Sequence, residues 1–480
     1  MTVHIKPLTV ENTRTSWRWR NDPDVWRFTR GKPTIFVSED IEREWFLSGV
    51  KRTDTKRFGI YVDDIYVGNT QLTNVTSTEA EFHIFIGSKA YWGRGVGYLA
   101  SILVLRYAFD QLKLHRIYLS VHEANFSAVR LYQRLGFEIE GLVEGYYKMV
   151  LNGVDIPKPE VSVFSLVFNH EPFLQDYFKG ILSQKVNFDF ELVIGEDCST
   201  DGSRAVLKHF RDLYPGRIKL LLHEKNLGAA LNQKVVLGQC SGKYVAMCEG
   251  DDYWIDEGKL QKQYDFMEDN VRFSACFGKS KVLNLKRNSF MNEYQTPKKD
   301  VITISDIMNN HFIPTATFFF RRSLVESDTK FSDTVISGDI FLEIMLIMNG
   351  PFKFFDEYFS VYRKHEAGIT SNKKVIEQGE LSLTKIYVYF FKRAKGENRM
   401  ILRNAIAERY LKLIHGFRLQ SYFFGLLNLI KSLLPAIVYF RDAKMFKALG
   451  ISVIRQLLPF AFLKQVILRF SSHTKSASKF

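Results

Sequence analysis

The sequence predicts an α/β protein in three parts, and three observations carry that prediction. Up to about Ile156, short strands alternate with helices around one glycine-rich turn. From Glu160, apolar strands alternate with helices of about ten residues, the order of a parallel sheet whose functional groups gather at one edge. From Glu380 to Arg418 there is no proline and apolar positions recur, which reads as helix. The expected domains are 1–156, 157–372 and 373–480, which suits a chain of 480 residues at roughly three domains.

Composition narrows the function. With 46% hydrophobic and 25% charged residues the chain is globular. Its four cysteines (Cys198, Cys240, Cys248, Cys276) have no CxxC spacing. That argues against a disulfide framework and a zinc site, and for a reducing compartment. The opening MTVHIKPLTVENTRTSWRWR has no apolar core of signal-peptide length, so secretion is not expected. Net charge is +14, and from Leu411 onward eleven Lys and Arg meet one acid, Asp442, so +10 of it lies in that tail. Charge focused in an aromatic-rich tail points to an anionic surface. No recognisable nucleic-acid-binding motif accompanies it, so no nucleic-acid partner is expected.

In the first domain, Ser38-Glu39-Asp40 opens a helix with acids in its first turn. Strands Arg57–Val62 and Ile65–Thr70 flank Asp63-Asp64 as a hairpin. Strand Glu81–Gly87 alternates, placing Glu81, His83 and Phe85 on one face. Tyr91-Trp92-Gly93-Arg94-Gly95-Val96-Gly97-Tyr98 then runs into a helix from Leu99 to Leu112. Glycines let backbone approach a phosphate closely, and the N–H groups of a helix start favour an anion. Strand Ile117–Val121 follows, then Asn125-Phe126-Ser127-Ala128-Val129-Arg130-Leu131-Tyr132 and Gly136-Phe137. Lys148–Val150 and Val154–Ile156 form a closing hairpin around Asn152-Gly153, and Pro157-Lys158-Pro159 stiffens a short linker.

Strand, glycine loop, helix, strand and N-x-S-A-x-x-L-Y-x-x-x-G-F together resemble the N-acetyltransferases of the GNAT superfamily. The resemblance implies a mixed-sheet α+β fold and acetyl-CoA as co-substrate. It implies that Arg94, Gly95 and Gly97 hold the pyrophosphate, that Asn125 contacts the pantetheine arm, and that Tyr132 protonates the departing thiolate. Trp92 departs from the pattern, because the loop usually begins with Gln or Arg. The chemistry needs a neutral amine, hence a base near the sheet, and Glu81 and His83 are the candidates. Trp17-Arg18-Trp19-Arg20-Asn21 resembles the subgroup acting on nucleotide-linked 4-amino-4,6-dideoxy sugars. Aromatics stack on rings and arginines pair with phosphates, so Trp17, Arg18 and Arg20 are expected to meet such an acceptor. Acetylation of a ribosomal protein or an antibiotic stays open.

The second domain is organised around Gly242-Lys243-Tyr244-Val245-Ala246-Met247-Cys248-Glu249-Gly250-Asp251-Asp252-Tyr253-Trp254. An apolar strand there ends on three carboxylates. Ligands bind beyond the carboxyl ends of parallel strands, and carboxylates in that place suit a hard divalent cation bridging to phosphates. Glu196-Asp197-Cys198-Ser199-Thr200-Asp201-Gly202-Ser203 ends an earlier strand, and Asn226-Leu227-Gly228-Ala229-Ala230-Leu231-Asn232 precedes a further helix. In this order the segments resemble a family 2 glycosyltransferase of GT-A fold, a Rossmann-like, mostly parallel sheet. The resemblance implies that Glu196 and Asp197 help bind the donor base and that Asn226 and Gly228 line the nucleotide site. It implies that Asp251 ligates Mn2+ or Mg2+ on the diphosphate beside Glu249, which replaces the usual first aspartate. Asp339, after Ser337-Gly338, is the implied base on the acceptor hydroxyl, and His365 a late metal or diphosphate contact.

Leu419–Phe440 is a long apolar run broken by Lys431 and Pro435. With the basic, apolar segment Ile451–Phe470 it favours helices lying in a membrane interface, and Ser471–Phe480 reads as disordered. The expectation is a bifunctional bacterial enzyme: cytoplasmic, peripheral to the inner face of the plasma membrane, using a nucleotide-sugar donor and a lipid-linked glycan acceptor. Its alternatives are a glycosyltransferase with a non-catalytic binding module, and a scaffold with vestigial sites.

Overall fold

The computed structural model describes residues 1–28, 34–50, 52–153, 156–291, 296–309, 312–325, 338–365 and 373–416. The expected interfacial segments beyond Leu419 lie outside them. Two compact units emerge: Met1–Asp300 with Ile313–Ser327 and Lys353–Lys364, and the remaining segments.

The first unit opens with β1 (Val3–Pro7), α1 (Thr13–Arg20), α2 (Glu39–Val50), β2 (Lys56–Val62), β3 (Ile65–Thr73) and β4 (Glu79–Ile86). It continues with α3 (Val96–Arg106), β5 (Arg116–His122), α4 (Phe126–Arg134), β6 (Glu138–Val143) and β7 (Tyr146–Asn152). The strands form one sheet in the order β1-β2-β3-β4-β5-β7-β6. Every pairing is antiparallel except β4 with β5. That parallel pair joins only Glu79–Glu81 to Arg116–Tyr118. Beyond it β4 pairs with β3 alone and β5 with β7 alone, so the two strands part towards their carboxyl ends. Ala100, Leu103 and Val104 of α3 are fully buried in a core with Ile60, Val67 and Leu72 of the sheet.

The closing hairpin differs from expectation. Asn152 ends β7, and the turn lies instead at Glu144-Gly145, whose φ values of 50° and 77° join β6 to β7. Two successive left-handed residues match the twist of a tight hairpin. Glutamate seldom adopts that conformation, so the sequence pointed to Asn-Gly instead.

A second sheet follows. Its strands are β8 (Val161–Val167), β9 (Phe190–Glu196), β10 (Ile218–Leu222), β11 (Tyr244–Met247), β12 (Tyr253–Trp254), β13 (Ala275–Asn284), β14 (Ser289–Met291), β16 (Phe319–Arg321) and β17 (Phe352–Lys364), with β15 (Val301–Ile302) in the second unit. Between them lie α5 (Leu174–Leu182), α6 (Ser203–Leu213), α7 (Ala229–Gln239) and α8 (Lys259–Asp269). The order β10-β9-β8-β11-β16-β13-β17-β12 is parallel over its first four strands and turns antiparallel where β11 meets β16. The carboxyl ends of β8, β9 and β11 thus face one edge, where ligands of such sheets bind. In the second unit, α9 (Ile304–Asn309), α10 (Gly338–Ile347), α11 (Lys373–Arg393) and α12 (Gly396–Gly416) pack together. The single helix expected across Glu380–Arg418 is broken, because Gly396 takes φ 52°.

The two sheets meet through buried polar groups. Arg106, at the end of α3, donates to one oxygen of Asp189, and Arg217 Nη1 donates to the other at 3.1 Å. Arg217 Nη2 also donates to the Val3 carbonyl at 2.7 Å. His4 Nε2 donates to the Leu182 carbonyl at 3.1 Å, and the Val186 N–H reaches Thr2 Oγ1 at 3.1 Å. Gly216, at φ 71°, lies so near α3 that an added Cβ would be 1.8 Å from the Leu103 carbonyl oxygen. Burial pushes the Arg217 guanidinium down to about 10, with Arg106 adding to the effect. Burial and then Arg217 push His4 down to about 3.

Two outcomes follow from this junction. Asp189→Ala leaves two buried arginines sharing no carboxylate and should cost about 3–5 kcal/mol in denaturant unfolding. His4 is neutral when folded, whereas its unfolded pKa is 6.5. Between those values the unfolded chain binds the extra proton, so stability rises with pH and is lost as pH falls from 6.5 towards 3. At pH 5 the loss should be on the order of 2 kcal/mol, and His4→Gln should flatten that part of the stability profile.

Candidate active sites

The first constellation lies where β4 and β5 part. Gly93 and Gly95 have φ of 72° and 79° with open space around a would-be Cβ, so backbone conformation, not crowding, requires glycine there. Gly95 caps α3 and Gly97 lies in its first turn, which turns the helix N–H groups outward as an anion cradle. The Trp92 indole donates to the Ile86 carbonyl at 2.7 Å and pins the loop to the end of β4. The replacement noted in the sequence therefore supports the loop through a side chain. Arg94 is exposed beside Tyr91.

Asn125 caps α4, its Oδ1 accepting from the Ala128 N–H at 3.3 Å and the Ser127 hydroxyl at 3.1 Å. Tyr132, on the same helix, is buried against Phe82 and Phe137. Burial raises its phenol well above the ordinary range, so it stays protonated and able to donate. Glu81 and His83 share a face of β4 with Oε2 and Nε2 3.6 Å apart, and His83 Nε2 lies 2.9 Å from Thr73 Oγ1. The His83 hydrogen bond, then that of Asn74, holds the Glu81 carboxyl below its usual range.

Phe85, on the same face of β4, belongs to a group of aromatic rings. Trp26 lies against Phe85 at 5.6 Å, Phe28 against His122 at 5.8 Å, and His122 against Tyr146 at 5.0 Å. Arg20 lies between the Trp26 and Trp45 rings at 4.9 and 4.4 Å and donates to buried Glu42 at 3.0 Å. Arg18 lies over Trp17 at 5.4 Å, and Trp17 lies 6.1 Å from Phe36.

The second constellation occupies the carboxyl edge of the parallel strands. Glu196 ends β9 fully buried, accepting from the Ser199 N–H and from Arg204 Nε, both at 2.5 Å. Asp197 accepts from the N–H groups of Leu227 and Gly228 at 2.6 and 2.9 Å. Asn226 Nδ2 returns to the Asp197 carbonyl at 3.1 Å. Asp197 thus shapes the Asn226–Gly228 turn, whose glycine has φ 80°.

At the end of β11, Asp252 N–H bonds the Glu249 carbonyl at 3.1 Å and closes the acidic turn. Asp252 is buried, and burial followed by Asp251 raises its carboxyl well above the ordinary range. Asp251 Oδ2 lies 3.7 Å from His170 Nε2. Among the described residues no group of three His, Cys, Asp or Glu is preassembled around a cation position. Glu249 and Asp251 still fit a hard cation, since Mg2+-type sites use one or two carboxylates and complete their shell with phosphate and water.

Asp339 and His365 belong to the second unit. Asp339 is exposed in the first turn of α10 and accepts from the Ile340 N–H at 2.9 Å, while His365 follows β17 directly. Two residues near Asp251 escaped sequence reasoning, His170 and Arg363. Each is distant in sequence and carries no local pattern. The one signal was position, His170 just past a strand end and Arg363 in the Tyr-Arg-Lys-His run.

Residues 162–328 match the family described as Glycosyl transferase family 2, and residues 3–138 the family described as Acetyltransferase (GNAT) domain. One similar protein is the Escherichia coli UDP-Glc:alpha-D-GlcNAc-diphosphoundecaprenol beta-1,3-glucosyltransferase, 29% identical over 44% of this chain and 80% of that one. Another is the spermidine N(1)-acetyltransferase of E. coli K12, 29% identical over 32% of this chain and 80% of that one. Among solved structures, S. aureus TarS with UDP aligns at TM-score 0.46 and 16% identity over 63% of this chain and 93% of that one. The Vibrio cholerae spermidine N-acetyltransferase with CoA and spermine aligns at TM-score 0.30 and 23% identity over 32% and 96%. The chain is thus a transferase of two families, an acetyltransferase (GNAT) domain at 3–138 joined to a family 2 glycosyl transferase domain at 162–328.

Proposed function

We propose a bifunctional enzyme, divided at Pro157–Pro159, that N-acetylates a nucleotide-linked amino sugar of the 4-amino-4,6-dideoxyhexose type and transfers a sugar, with inversion, onto a surface polysaccharide. The observation that carries this reading is that one compact unit holds both a parted β4–β5 pair with a glycine-capped helix and an acidic turn at a parallel strand end.

In the first site, α3 and Arg94 hold the pyrophosphate of acetyl-CoA, and the free edges of β4 and β5 accept its pantetheine arm beside Asn125. Edge N–H and C=O groups suit an extended amide chain. Glu81 with His83 takes the proton from the incoming ammonium, and Tyr132 supplies one to the thiolate. Trp17, Arg18 and the neighbouring aromatic rings favour an acceptor with flat rings and anionic phosphates, with Arg20, paired to Glu42, ordering the Trp26 and Trp45 rings. A polyamine is the second reading, favoured by the spermidine N(1)-acetyltransferase likeness.

In the second site, Asp197 orders the turn of Asn226 and Gly228 beneath the nucleotide, with Glu196 beside it. Glu249 and Asp251 would hold Mn2+ or Mg2+, with His365 the further contact that the family resemblance implies, and the ion would supply charge neutralisation to the departing diphosphate. Asp339 removes the proton of the acceptor hydroxyl, so no covalent intermediate is needed. The named acceptor of the E. coli glucosyltransferase is lipid-linked. That, with the basic tail, supports a lipid-linked acceptor and residence on the inner face of the membrane. No helix of the described residues is long and apolar enough to cross a membrane.

Free-thiol release from acetyl-CoA against a panel of nucleotide-linked amino sugars and polyamines separates the readings. One strong nucleotide-sugar responder is expected; a polyamine responder overturns the acceptor assignment, and silence with retained CoA binding points to a binding module. Tyr132→Phe should slow acetylation by about 10²-fold and leave sugar transfer intact, whereas Asp251→Ala should abolish only transfer. Removing residues 411–480 should release the protein from anionic vesicles in a flotation assay.

A further inference from the structure

Arg363 makes several contacts with the acidic turn, yet nothing in the proposed chemistry uses it. Its guanidinium is 5% exposed. Nη1 donates to the Asp251 carbonyl at 3.0 Å, and Nη2 donates to the Asp176 carboxylate on α5. Its plane lies 4.2 Å from the Tyr253 ring and 5.3 Å from that of Phe173. Its own backbone N–H donates to Asp252 Oδ1 at 3.0 Å, which gives that buried carboxyl a fixed partner. One residue of β17 therefore grips three consecutive residues of the turn: the carbonyl of Asp251, the carboxyl of Asp252 and the ring of Tyr253.

The surroundings fix Arg363 in turn. β12 pairs with β17 through Tyr253–Val361 and Trp254–Ser360. α5 approaches so closely that a Cβ on Gly180 would be 2.5 Å from the Trp254 carbonyl oxygen. Asp176 is 59% exposed, so its contribution is to aim the guanidinium and not to fill a core. A rigid fork with a planar face can bond two oxygens and stack on a ring at once, and lysine cannot.

We propose that Asp176 and Arg363 are positioning residues of the glycosyl transferase site, a relay from α5 that fixes the backbone at Asp251 so that its carboxylate meets the cation and diphosphate of the donor. The proposal rests on the donor-site reading given above. Neither residue touches substrate; both act through the turn.

The test is titration of the full-length protein with UDP in the presence of Mn2+ by calorimetry, together with amide hydrogen exchange across residues 250–255. Asp176→Asn, a surface change, should keep the unfolding midpoint and weaken Mn2+–UDP binding about three- to tenfold, the scale of one exposed charge-assisted bond. Exchange of the turn amides should quicken while the rest of the unit is unchanged. Arg363→Met should weaken binding by at least about 30-fold, and Arg363→Lys should not restore it. Asp251→Asn is the control. If it weakens binding while Asp176→Asn and Arg363→Met bind as the wild type does, the relay is wrong and the donor site stands. If Asp251→Asn leaves binding untouched, the donor-site reading falls and the relay falls with it.

Discussion

The architecture depends on a carboxylate shared by two arginines. Asp189 opens towards Arg106 of the acetyltransferase domain and Arg217 of the glycosyl transferase domain, and all three are buried. Two cations and one anion out of water are stable only if geometry and further hydrogen bonds compensate the lost hydration. The Val3 carbonyl supplies one such bond to Arg217. Gly216 permits the contact, because no side chain fits between its turn and α3. A polar junction of this kind tolerates little sliding, since displacing any member strands the others. Both catalytic constellations are thereby built on one scaffold.

Each site follows one rule: strands deliver backbone ends, and side chains then fix the loops that leave them. At the first site Trp92 ties the glycine loop to β4. At the second, Asp197 gathers the Asn226–Gly228 turn and Glu196 engages Arg204. Several acidic residues of the glycosyl transferase motifs are thus spent on shaping loops. Glu249 and Asp251 are the carboxylates we propose for the cation.

Local pattern made much of this readable. Alternation placed Glu81 and His83 together, the glycine loop announced the helix start, and the apolar run ending at Glu249 announced a buried parallel strand. Long-range polar contacts were not readable. His4 is far in sequence from Leu182, and Arg106 from Asp189, and each alone resembles an ordinary surface or core residue. The same holds for Arg363 and Asp176. The hairpin at Glu144-Gly145 was hidden because context overrode the preference of glutamate, and the break at Gly396 because one glycine is a weak stop signal in a periodic run.

The junction also bears on whether the halves can stand apart. A greasy, interchangeable surface would let each half stand in water at modest cost. A seam of charged groups makes separation costly for both sides: the acetyltransferase half would bare Arg106 and His4, and the glycosyl transferase half would keep Asp189 and Arg217 without their neighbours. Separation of the two domains should therefore cost stability on both sides, and a change at position 106, 189 or 217 strands its partners.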